Sequence, residues 1–112
     1  MHVERRQDFK AVILRPEVDD DPEDLEDLIH DYVLLGREEP DDQGQPSVTQ
    51  VVLDLSGVAK QGPWMKAAGP EIPDVNLRLA LGLEGFVTAR ALKLTALFEW
   101  YPDVETALRG GV

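Results

Sequence analysis

Asp54 and Ser56 stand two residues apart in VVLDLSGV, residues 51 to 58, at the end of an apolar run. A carboxylate placed there can cap the backbone N–H groups of the turn that follows. It can also serve a crevice at the carboxyl end of a strand, where α/β proteins place ligands and switches. The capping role is expected for Asp54, with the crevice role as its rival. Ser56 is expected to bond backbone in the turn, with phosphorylation as its rival. His30 is the other residue whose neighbours could do chemistry, since Glu26, Asp27 and Asp31 lie near it. On a helix, Glu26 and His30 face the same side one turn apart, and an exposed helix position is the expected reading. A Ser–His–Asp triad would have to use His30, and no nucleophile-elbow sequence supports one. The stretch DDDPED invites a calcium loop, but a loop starting at Asp19 would need Gly where Asp24 stands and Glu where His30 stands. The glycines fit neither the dinucleotide fingerprint nor the P-loop. There is no cysteine, which removes thiolate catalysis, disulfides and cysteine-based metal sites. No enzyme, metal or cofactor is expected.

The elements that must position Asp54 and Ser56 follow from pattern. The 112 residues suffice for one domain, 1–112, with a modest and mostly aliphatic core. Phe9 to Leu14 predicts a strand, with residues 1–8 as a frayed terminus. Asp21 and Pro22 predict a helix start. Leu25, Leu28, Ile29, Tyr32, Val33 and Leu35 give that helix one buried face, and Gly36 is the expected stop. Val48 to Leu55 reads as a strand covered on both faces. One short helix fits around Trp64 to Ala68. A strand is expected over 75–81, a turn at Leu83-Glu84-Gly85 and a helix over 86–97. That helix should bury Val87, Ala91, Leu94 and Leu97. A short strand at 98–101 and a final helix at 102–111, capped by Asp103, complete the order. Strands alternating with helices imply an α/β layered domain, a mainly parallel sheet of about four strands with right-handed crossovers.

Charge narrows the partners. The formal net charge is −11, and thirteen of the 22 acids lie between residues 17 and 42 against one arginine. Such a surface repels phosphate backbones and anionic headgroups, so neither nucleic acid nor a membrane is an expected partner, and a basic protein surface is. Ala11 to Leu14 is too short an apolar run for a signal peptide or a membrane span. The expected compartment is the cytoplasm.

The element order, with VVLDLSGV closing one strand and VNLRLALGLEGFVTARALKLTALFEWYPDVETAL following, resembles the STAS domain (sulfate transporter and anti-sigma factor antagonist). The resemblance spans about residues 9 to 109. It implies a small regulatory module of a bacterial system that acts by protein–protein contact. Its antagonist branch carries a phosphorylated Ser or Thr after the DLSGV strand. Here AKQGPWMK stands in that place, and no Ser, Thr or Tyr occurs between Gly57 and Val87. The resemblance therefore implies an antagonist-like module without the phospho-switch. Its partner would be an anti-sigma factor or kinase, or another STAS protein.

The expected partner-binding set is Asp54, Ser56, Lys60, Trp64 and Met65, with Trp64 and Met65 as an exposed hot spot. The competing reading of Trp64 is that it folds back over the sheet. Two functional alternatives stand beside this one. The first is a small-molecule sensor with a crevice by Asp54, Ser56 and Trp64. The second is a subunit, such as a homodimer, that self-associates through the sheet edge at Phe9 to Leu14.

Overall fold

The structure, a computed structural model, describes residues 1–68, 76–93 and 99–110. Five strands form one sheet: β1 (His2–Arg6), β2 (Ala11–Arg15), β3 (Gln50–Asp54), β4 (Asn76–Ala80) and β5 (Glu99–Tyr101). They lie side by side in chain order. β1 runs antiparallel to β2, and β2 to β5 run parallel. The α/β reading with a mainly parallel sheet holds.

The first eight residues are not frayed. His2 to Arg6 pairs along its length with Ala11 to Arg15. The link is a 3-10 turn, Gln7–Phe9, closed by Lys10 in the left-handed region at φ 50°. The segment HVERR has no apolar run to announce a strand, and β2 supplies the partner that makes it one. The edge at Phe9 to Leu14 is therefore covered, and the self-association route through it is closed. The free edge on that side is the charged β1, a composition that discourages edge pairing.

Among the described residues each parallel crossover carries one α-helix: α1 (Leu25–Glu38), α2 (Gly62–Ala68) and α3 (Gly82–Ala91). Strands added in one direction by crossovers of one hand put all three helices on one face. They share a core there with Val12, Leu14, Val51, Leu53 and Leu79. Among the described residues the opposite face carries only α4 (Val104–Arg109), whose Ala107 and Leu108 cover Ala11, Ile13, Val52 and Ala80.

The start of α1 is as its sequence predicts. Asp21 accepts the Glu23 N–H at 2.9 Å, and Pro22 opens a 3-10 turn that runs into the helix. Gly36 does not stop it. The helix continues to Glu38, and Gly36 is a close-approach point, where a β-carbon would sit 2.8 Å from both the Cβ and the backbone N of Val48. α4 is capped by Asp103, which accepts the Thr106 N–H at 2.7 Å.

α3 departs from expectation. It begins at Gly82, so Leu83, Glu84 and Gly85 are helical and do not turn the chain. Its buried residues are Gly85 and Ala89, and Val87 is 58 % exposed. Leu94, Leu97 and Phe98 lie outside the described residues. Small residues four apart let the helix approach the layer closely. A β-carbon on Gly85 would press into Gln61 and come within 2.9 Å of the Leu81 Cβ.

Candidate functional site

Asp54 ends β3 with its side chain 13 % exposed, on the α4 side of the sheet. One oxygen, Oδ1, accepts the Ser56 N–H at 3.1 Å and the Ser56 hydroxyl at 2.6 Å. The other, Oδ2, accepts Arg15 Nε at 3.2 Å. Arg15 also reaches Glu4 on β1 at 3.4 Å. Asp54 caps the turn as expected, whereas the Ser56 hydroxyl bonds the Asp54 carboxylate and not the backbone. The pairing with Arg15 is an addition that the sequence spacing did not show.

The turn itself is closed by the Val58 N–H, which donates to the Leu55 carbonyl at 3.0 Å. Ser56, Gly57 and Lys60 are exposed. A β-carbon on Gly57 would meet nothing within 4 Å. Beside the turn stands Gly82, whose φ of 66° needs a glycine. Its N–H donates to the Pro102 carbonyl at 3.2 Å. The ends of β3, β4 and β5 thus meet in one carboxyl edge. The loop after β2 adds the fully exposed Val18 to that edge, and the first turn of α3 adds Leu83, 80 % exposed. The signal for the β4 end lies in LALGLEG, where the first glycine, not the second, breaks the run.

Trp64 and Met65 do not belong to this edge. They are 4 % and 0 % exposed and lie in the core of the three-helix face. The exposed hot spot expected of them is corrected. α2 starts at Gly62, so Trp64, Met65 and Ala68 fall on the side that faces the sheet. The competing reading, Trp64 folded over the sheet, is the one observed. The crevice expected from Asp54, Ser56 and Trp64 does not form, because Trp64 and Asp54 lie on opposite faces.

Asp54 and Ser56 instead line an open groove of about 440 Å³ against the start of α4. Its cations are engaged. Arg6 binds Asp8 at 3.1 Å and Glu105 at 2.8 Å. Those bonds, Asp8 first, raise the Arg6 pKa above its ordinary value and lower that of Asp8. Asp54 accepts three hydrogen bonds in this groove, one from Arg15 and two from Ser56. His30 sits on exposed α1, 3.7 Å from Glu26. Among the described residues no group of three His, Cys, Asp or Glu could hold a metal ion. No described helix is long and apolar enough to cross a membrane.

No protein-family model matches the chain, and no curated protein or solved structure matches it.

Proposed function

We propose that this chain is a non-enzymatic protein-interaction module of a bacterial regulatory system, similar to an anti-sigma factor antagonist without the phospho-switch. It docks through the carboxyl-edge turn at Ser56, Gly57 and Lys60. The observation that carries this reading is the state of that turn. It is exposed, yet Asp54 holds both its N–H and its hydroxyl. A turn so fixed offers a preformed shape, which lowers the ordering cost of binding. Val18, fully exposed on the neighbouring loop, adds an apolar contact. The partner is an anti-sigma factor or kinase, or a second protein of the STAS type, and the site acts in the cytoplasm.

The test is affinity capture from the native host with wild type, Gly57→Trp and Val18→Asp. Both positions are open, so the variants should fold. An anti-sigma kinase or STAS protein captured by wild type and lost with both variants supports the reading. Capture unchanged by both variants contradicts it.

A second reading, small-molecule sensing, draws on the groove beside α4. A ligand there must displace carboxylates from Arg6 or Arg15. A thermal shift with a nucleotide, abolished in Arg15→Ala, would favour it over docking.

A further inference from the structure

Nine of the chain's eleven lysines and arginines fall into two groups, and Arg37 on α1 and Arg109 on α4 stand apart from both. Arg5, Arg6, Lys10, Arg15 and Arg78 each pair with a carboxylate at 2.6 to 3.3 Å. Lys60, Lys66, Arg90 and Lys93 are exposed and hold no ion pair among the described residues. These four gather on α2, on α3 and the turn that follows it, and on the turn before α2. The ends of that region adjoin, since a β-carbon on Gly62 would lie 3.2 Å from Leu92 Cδ1. With 22 acids in the chain, leaving four neighbouring cations unpaired is a segregation of charge.

The outward side of α3 is apolar as well. Leu83, Val87 and Arg90 recur at helical spacing opposite the buried Gly85 and Ala89. Leu83 and Val87 are 80 % and 58 % exposed. On the far side of α2 the outward stripe of α1 has the opposite sign. Asp27, Asp31, Leu34 and Glu38 are all exposed, opposite the buried Leu25, Ile29 and Val33. The other charged groups facing this layer are the His30–Glu26 pair and Arg37 on α1, and Glu84 on α3.

α1, α2 and α3 lie side by side, so the layer runs from acidic to basic across its width. A two-fold axis along α2 carries α1 of one copy over α3 of the other, and does so twice. We propose that two copies of this chain associate through the α1–α2–α3 layer about such an axis. Asp31 and Glu38 then face Arg90 and Lys93 of the partner copy, Leu34 faces its apolar patch, and α2 faces its own copy across the axis. The interface is isologous and closes at two copies. The net charge of −11 opposes approach at long range, but salt screens exposed charges beyond about 8 Å at physiological ionic strength. Opposite charges and apolar groups at contact range act within that distance.

The test uses the purified chain alone, by sedimentation equilibrium from micromolar to millimolar concentration. Wild type is expected to rise from one chain to two. One variant, Arg90→Glu with Lys93→Glu, makes the layer acidic throughout. A second, Asp27→Lys with Asp31→Lys and Glu38→Lys, makes it basic throughout. Each alone should weaken pairing by about tenfold or more, and a mixture of the two should pair again as a heterodimer. Circular dichroism establishes that both variants fold. A wild type that stays monomeric, larger assemblies, or a dimer untouched by both reversals overturns the proposal. Gly57→Trp lies off this layer and leaves the mass unchanged, so failure here and failure of the docking reading are separate results.

Discussion

α1 and α3 cover the same face of the sheet with opposite materials. α1 buries Leu25, Ile29 and Val33 and turns its acids outward. α3 buries Gly85 and Ala89 and turns Leu83 and Val87 outward. A helix that docks through large side chains stands away from its neighbours, and its apolar spacing reveals its buried face. A helix that docks through small residues comes close, and its large apolar residues are left for something else. The contrast explains why one helix of the layer turns acids to solvent and the other leaves an apolar stripe exposed.

Four substitutions and one pH titration test the difference between the two helices and their neighbours. The largest effect is expected at α2, between the two helices. Trp64→Ala empties a core position and should cost about 3–5 kcal/mol, read from the midpoint of urea unfolding. An unchanged midpoint would mean that Trp64 is not in the core. Ile29→Ala on the buried face of α1 should cost about 2–5 kcal/mol, while Val87→Ala on α3 should stay within about 0.5 kcal/mol. Equal losses at the two positions would erase the difference between the helices. Gly85→Ala tests the close approach directly, and its overpacking should cost about 1–3 kcal/mol, against a gain if α3 stood free as an exposed helix.

The smallest effect is expected from pH. The Thr106 N–H, and then the Thr106 hydroxyl, hold the Asp103 carboxyl below its ordinary value. A carboxylate depressed in the folded state adds stability above its unfolded pKa, and that stability is lost as pH falls through the folded value. The difference in unfolding temperature between wild type and Asp103→Asn should therefore be level at neutral pH and shrink below the ordinary carboxylate range. A difference that grows on acidification would remove Asp103 as the α4 cap.

Much of this architecture can be read from sequence. β3 is announced by its apolar run, α1 by Asp21 and Pro22, and α4 by Asp103. Each of those signals is local, a cap or a run that acts within a few residues. β1 is not local. HVERR becomes a strand because Ala11 to Arg15 lies beside it. The face of α3 is not local either, because VTARALKL shows period but not which side comes close to Gln61 and Leu81. At the site, the cap formed by Asp54 is legible from two-residue spacing, while its bond to Arg15 depends on the pairing of β2 with β3. Trp64 looks like a surface anchor only as long as α2 is thought too short to turn it inward.

The orientation of α3 carries both the contrast and the proposed dimer, and the chain's lack of cysteine allows it to be measured cleanly. Single variants Val87→Cys and Ala89→Cys would be treated with a thiol reagent at low and high protein concentration. Val87→Cys is expected to react at a free-thiol rate when dilute and to slow as concentration rises, while Ala89→Cys is protected at both. Fast reaction at Ala89→Cys, or protection of Val87→Cys in dilute solution, would contradict the outward stripe on which the account rests.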